Sequence, residues 1–173
     1  GYLPRLCEHL LGQKLKMPSV ATWWCGEPAA CAYALEHLRE LVIKPAYPTL
    51  GAGPVFCRDL PAAELDALAA RIAARPFDFV AQEMVNLSQA PVLATAGEAP
   101  GRRAQDEGDA RGLVARNIGL RVFAAAGPEG FRVLPGGLTR VASEADMRIV
   151  SMQHGGGSKD AWVLASPARP RPI

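Results

Sequence analysis

The stretch Leu41–Phe56, LVIKPAYPTLGAGPVF, decides how the chain is read. An apolar run ends on Lys44, a loop of proline and glycine follows, and a second apolar run begins. Leu41 to Lys44 reads as a buried strand, and Pro45 limits its continuation because proline cannot donate to a sheet ladder. A lysine at the end of a buried strand needs a partner, since burying an unpaired ammonium is costly. Gly51 and Gly53 allow backbone N–H groups to close over phosphate oxygens, for which a strand lysine supplies a compact positive charge. A plain strand–turn–strand with a snorkelling lysine is the competing reading. The loop lacks the G-x-x-x-x-G-K-[ST] pattern, so the P-loop mechanism does not apply.

Working outward, Leu3 to Gly12 has the spacing of an amphipathic helix, with Leu3, Leu6, Leu10 and Leu11 on one side. MPSVATWWCGEPAACAYALEHLRELVIKP gives an irregular or extended piece and then a helix. Pro28 suits that helix's first turn, and Cys31, Leu35 and Leu38 form an inward stripe. RDLPAAELDALAARIAARP is the clearest helix. Asp59 is expected to cap it, Pro61 to sit in its first turn, Leu65, Leu68 and Ile72 to face inward, and Pro76 to end it. FDFVAQEMV reads as a strand. Ala94–Gly112 is rich in glycine, alanine and charge, and cannot bury enough surface to order itself, so a mobile insertion is expected. NIGLRVFAAAG and GFRVLPGGLTRVA read as strands joined by the turn GPEG. RIVSM is expected as a short strand, QHGGGSKD as a glycine loop and AWVL as a last strand, with prolines keeping the tail irregular. The order lacks regular β-α-β alternation, which points to an α+β fold with a mainly antiparallel sheet flanked by helices. Residues 1–166 are expected to form the domain, with 94–112 inserted and 167–173 a disordered tail.

The bulk numbers agree with a globular chain. Of 173 residues, 49% are hydrophobic and 21% charged, enough for one substantial domain or one domain of two lobes. A net charge of +2 does not argue for nucleic acid. The basic GRRAQ segment is offset by Asp106, Glu107 and Asp109. No apolar run reaches the roughly 18 residues of a membrane span, and the N-terminal stretch lacks the order of a signal peptide. Cys7, Cys25, Cys31 and Cys57 include no C-x-x-C pair, so they read as reduced thiols in a cytoplasmic protein.

Three more stretches carry polar residues that a core does not need. In VAQEMV, Gln82 and Glu83 interrupt an apolar strand, and alternation turns one of them toward the core side. A buried glutamate there would need an adenine amino group or Lys44 as partner; an edge strand with both side chains solvated is the alternative. Arg121 in GLRVF and Arg140 in GGLTRVA lie in strands, and guanidinium forks suit phosphate and carboxylate oxygens. On neighbouring strands in register they would make an anion site; singly, each could serve a structural salt bridge. In QHGGGSKD, consecutive glycines are expected where backbone approaches a ligand, with Lys159 and Asp160 following at once; a flexible hairpin loop is the alternative. His154 is the one histidine near these segments, whereas His9 and His37 fall on helices and read as solvated.

Taken in order, MPSVATWWCGEP, LVIKP, VAQE, LRVF, LPGGLTRVAS and VSMQHGGGSKDAWVL resemble the circularly permuted ATP-grasp family, type 2. The resemblance covers nearly the whole chain outside the 94–112 insertion and the tail. It implies ATP held between two α+β lobes and a carboxylate activated as an acyl phosphate, which an amine or thiol attacks. On this resemblance Lys44 contacts nucleotide phosphate, and Gly51 and Gly53 belong to the glycine loop over the phosphates. Gln82, Glu83 and Val85 match the hinge strand lining the adenine. Arg121 resembles the arginine of the D-x-R strand, and Arg140 with Gly155 and Gly156 the groups near the transferred phosphate and the carboxylate substrate. Lys159 is placed with the cofactor-binding set. Position 119, acidic in the D-x-R pattern, is glycine here. No cluster of Mg²⁺ ligands matches, and the metal-binding segment is expected to lie before residue 1. The implied function is the ATP-binding part of a carboxylate–amine or carboxylate–thiol ligase for a peptide or amino-acid-like substrate. The alternative is a binding module that keeps the fold without the metal site. The implied partners are ATP, Mg²⁺, small carboxylates and amines, with no membrane and no nucleic acid. Exposed strand edges leave room for self-association.

Overall fold

The computed structural model describes residues 1–47, 53–94, 112–144 and 156–164. Gly51, His154, Gly155, the RIVSM segment, the tail and nearly all of the 94–112 insertion lie outside the described residues. The chain divides into two compact units, Gly1–Val85 and Asn86–Ile173.

The first unit is an antiparallel sheet with helices packed on one face. Its elements are α1 (Leu3–Leu11), β1 (Thr22–Trp24), α2 (Pro28–Glu36), β2 (Leu41–Pro45), β3 (Val55–Phe56), α3 (Ala62–Ala74) and β4 (Phe79–Glu83). The strand order is β1-β4-β2-β3, so β4 is central and Gln82 and Glu83 do not sit on an edge. Ile43, Leu41 and Ala81 on one face meet Ala34, Leu38, Leu68 and Ile72 in the core. Burial of each large aliphatic side chain there stabilises the unit by about 1.5–3 kcal/mol.

Local signals explain most boundaries. Pro28 opens α2, where its missing N–H leaves no helical bond unmade. Gly12 ends α1 in the left-handed region at φ 62°, its N–H donating to Glu8 O at 3.0 Å. Two helix details differ from expectation. The buried stripe of α2 runs through Ala30 and Ala34 to Leu38, with Cys31 and Leu35 on its flank, because the small alanines let the helix approach the sheet. Asp59 does not cap α3. It falls in a preceding 3₁₀ turn, Cys57–Asp59, and Pro61 takes the cap position. The four leucines of α1 share a side yet none is buried.

The second unit is an antiparallel sheet of order β5-β6-β7-β8, from β5 (Gln89–Leu93), β6 (Leu113–Gly127), β7 (Gly130–Val141) and β8 (Gly157–Asp160). The long hairpin β6–β7 turns through GPEG as expected, with Gly130 at φ 106°. Val122 pairs with Gly137 while Ala124 pairs with Val133, so Leu134–Gly136 bulge out of the ladder. Pro135 has no N–H to donate there. Two expectations change in this unit. Gly157–Asp160 is a strand rather than the end of a glycine loop, because β7 offers it an edge to pair with. Ala161–Leu164 is not a strand. β5, which was not expected, forms around Pro91 at the edge of the sheet, where a missing N–H costs no ladder bond.

Candidate functional site

The partner of Lys44 is Gln82. Antiparallel pairing sets Val42 opposite Gln82 and Lys44 opposite Val80. Side chains alternate along a strand, so Val42, Lys44, Val80 and Gln82 share the sheet face opposite the helix-covered core. Lys44 Nζ donates to Gln82 Oε1 at 2.5 Å, Gln82 Nε2 donates to Thr22 Oγ1 at 3.0 Å, and Thr22 Oγ1 donates to Val20 O at 2.9 Å. This chain of bonds crosses β2, β4 and β1 and fixes where the ammonium stands. A neutral amide partner orients Lys44 without cancelling its charge, which leaves that charge available to an anion. Thr22 was missed in the sequence; its signal is a hydroxyl among aromatic residues on a strand, legible only once the strand's neighbour is known.

Glu83 is not the buried carboxylate that needed Lys44. It shares the core-side alternation with Ala81, but it is the last residue of β4 and its side chain is exposed. Its backbone N–H donates to Ala21 O at 2.9 Å, and Val85, just beyond, is also exposed. Gly53 has open space where a Cβ would stand. It lines a cavity of about 570 Å³ with Lys44, Tyr47, Arg71, Arg75 and Phe79. Gly26 is tightly placed in this unit, where a Cβ would lie 2.3 Å from the Trp24 ring. Trp24 Nε1 is itself fixed by donation to Phe77 O at 3.1 Å.

In the second unit, Arg121 and Arg140 do lie on neighbouring strands and on one face. Arg140 stands opposite Gly119, and Arg121 is two residues further along β6. The glycine at 119 matters, because a carboxylate there would stand directly across from Arg140 and neutralise it. Arg140 Nε is buried with no hydrogen-bond partner among the described residues. A buried charged donor left unpaired is expensive, and such groups mark sites where a ligand completes the bonding. Lys159 does not join the arginines. It alternates to the other face of the sheet, and its ammonium donates to the Pro91 carbonyl. Gly156 lies immediately before β8. Arg116 is a further buried arginine, held by the carbonyls of Ser143 and Ala115 at 3.3 and 3.2 Å, which suits a structural tie.

Residues 1–142 match the family model described as circularly permuted ATP-grasp type 2. The chain belongs to this family. Relatives match over nearly the full chain. An uncharacterized protein of Mycobacterium tuberculosis is 36% identical over 96% of this chain and 28% of its own length. An uncharacterized protein of Synechocystis is 34% identical, covering 95% of the chain and 31% of the relative. A Frankia casuarinae protein named "Putative glutamate--cysteine ligase 2-2" is 34% identical, covering 94% of the chain and 17% of the relative. The chain therefore spans under a third of the length of these relatives.

The ATP-grasp family implies ATP and Mg²⁺. The ammonium of Lys44, held by an amide, and the unpaired Nε of Arg140 fit phosphate or carboxylate oxygens. The magnesium fit fails on the described residues, among which no three His, Cys, Asp or Glu side chains lie together. Among the described residues no helix is long and apolar enough to cross a membrane.

Proposed function

We propose that the chain is the nucleotide-contacting part of an ATP-dependent ligase that joins a carboxylate to an amine or thiol. The observation that carries this reading is the Lys44–Gln82–Thr22 chain on the sheet face opposite the helices, in which a neutral amide holds an ammonium that has no ion-pair partner among the described residues. Lys44 holds the nucleotide phosphates, and the Gln82–Val85 strand end lines the adenine. Gly51 and Gly53 bring backbone N–H groups toward phosphate oxygens. Arg121 and Arg140, with Gly155 and Gly156, offset the charge that spreads over the transferred phosphoryl group and hold the carboxylate.

In the reaction class, a carboxylate oxygen attacks the terminal phosphorus and ADP leaves. The amine or thiol then attacks the acyl carbon and inorganic phosphate leaves. The proton of the nucleophile leaves with the phosphate, and the residues of this chain supply positive charge and orientation for both steps. The relatives named as glutamate–cysteine ligases support an amino-acid-like carboxylate substrate.

Calorimetric titration with ATP and a non-hydrolysable analogue, with and without Mg²⁺, tests this reading. Saturable binding that Lys44→Ala weakens at least about tenfold is expected. Binding indifferent to Lys44→Ala would remove the phosphates from this lysine and sink the assignment. In the longer parent protein, ATP hydrolysis should depend on added carboxylate and amine.

A further inference from the structure

We infer that the outer edge of β6 pairs with the β6 edge of a second copy of this chain, antiparallel about a two-fold axis at Ala124. The inference stands apart from the ligase reading and concerns the second unit alone.

The hairpin β6–β7 outruns its neighbours. β5 lines β6 only from Leu113 to Asn117, and β8 lines β7 only from Leu138 to Val141. The Ile118 N–H donates to Ser88 O at 2.8 Å. Beyond it, Gly119 to Gly127 have no strand on their outer side among the described residues. A two-stranded ribbon is marginal in water by itself, and a further strand or a packed face is what secures it. Val122 and Phe123 are exposed, as are Ala124 to Ala126. Soluble proteins blunt such edges with charge, proline or a bulge. β7 carries all three devices, in Arg132, Pro135 and the extra residues of the Leu134–Gly136 bulge. From Val122 to Ala126, β6 carries no charge and no proline.

The sequence of this edge selects a second copy as its occupant. Residues directly opposite in an antiparallel pair share a face. A two-fold at Ala124 sets that alanine against itself, Phe123 against Ala125 of the second copy and Val122 against Ala126 of the second copy. Each bulky side chain then meets an alanine, and Arg121 meets a glycine, Gly127 of the second copy, rather than a like charge. Neighbouring registers fit worse. An axis at Phe123 drives the second copy's GPEG turn onto Ile118, where Ser88 already sits. An axis at Ala125 leaves Val122 opposite Pro128 of the second copy, outside the strand. An axis between residues sets the Val122 face of one copy beside the Arg121 face of the other. On the Ala124 axis, Val122, Ala124 and Ala126 join Val133 and Phe131, their neighbours on β7, in one apolar face across four strands. Arg121 projects from the other face, so edge pairing does not consume its guanidinium. The contact uses the same patch on both copies and therefore closes at a dimer.

Sedimentation of the chain over a wide range of concentration tests this pairing. A reversible monomer–dimer equilibrium is expected. Ala124→Lys and Ala124→Glu each bring like charges together on the axis and should weaken the dimer at least about tenfold. An equimolar mixture of the two variants should associate again, because a lysine then faces a glutamate across the axis. That recovery also shows that both variants fold. A chain that stays monomeric at every concentration overturns the proposal. So does a dimer indifferent to either substitution, a mixture that stays monomeric, or growth beyond the dimer. Lys44→Ala lies in the other unit and should leave the dimer intact while weakening ATP. Failure of this inference and failure of the ATP assignment are therefore read separately.

Discussion

In the first unit, helices α2 and α3 close one face of the sheet, and Ile43, Ile72, Cys25 and Cys57 lose nearly all contact with water. In the second unit the described residues include no helix, and Leu120, Phe123, Phe131, Val133 and Leu134 of the hairpin stay exposed. The polar groups follow the same division. Lys44 has a protein partner that holds it in place, whereas Arg140 has a buried nitrogen that nothing described satisfies. Among the described residues, the large buried core lies in the first unit and the buried nitrogen without a partner lies in the second.

The largest test of that contrast is Ile72→Ala. Ile72 is 0% exposed against the sheet, so its truncation should cost the first unit about 2–5 kcal/mol, read by chemical denaturation. Phe131→Ala, on an exposed hairpin residue, should cost the second unit under about 0.5 kcal/mol. Equal costs would break the comparison.

Gly137→Ala is the counterpart within the open unit. A Cβ there would lie 2.7 Å from the Arg121 carbonyl oxygen, and backbone cannot step aside cheaply. A loss of about 1–3 kcal/mol is expected, with shifted β6–β7 amide resonances. Open sheet faces tolerate change; this strand-to-strand approach should not.

A third test uses Gln82→Ala. It removes the acceptor that positions Lys44 without touching the core. ATP affinity should fall several-fold and less than in Lys44→Ala, while the Gly1–Val85 unit melts within a few degrees of the parent. An unchanged affinity would mean the amide does not preorganise the lysine.

The cysteines sharpen the contrast through pH. Burial pushes the Cys25 and Cys57 thiols above their ordinary value of 9.0. A group whose pKa is raised on folding contributes stability that is fully present below its unfolded value and lost as pH rises through the folded one. The first unit should therefore lose stability above about pH 9, and Cys25→Ala with Cys57→Ala should flatten that loss. The second unit contains no cysteine and should not share this component.

A similarly small effect is expected at the Arg75–Asp78 pair, 2.7 Å apart with Arg75 largely exposed. Arg75→Ala should change stability by under about 1 kcal/mol in thermal melts, because exposed pairs gain little over hydration.

Much of this was legible in the chain itself. The strand before Pro45, the helix ending near Pro76 and the GPEG turn follow from residues whose backbone preferences are local. So does the α+β class, because apolar runs and helical stripes occur without β-α-β alternation. The ordered motifs also pointed to the family before any neighbour was known. Other features were decided between strands distant in sequence. That Gln82 rather than Glu83 faces Lys44 depends on a register of 38 residues' separation, and a one-residue slip would have reversed it. Lys159 and Arg140 both looked like anion ligands, and only the pairing of β8 with β7 turned them to opposite faces. Asp59 lost its capping role to a turn that the helix pattern could not foresee. Local preference fixes which segments are strands and helices, since it acts through each residue's own backbone and side chain. Which charges meet, and which remain unpaired, belongs to tertiary structure, because strand register sets each side chain's face and neighbours.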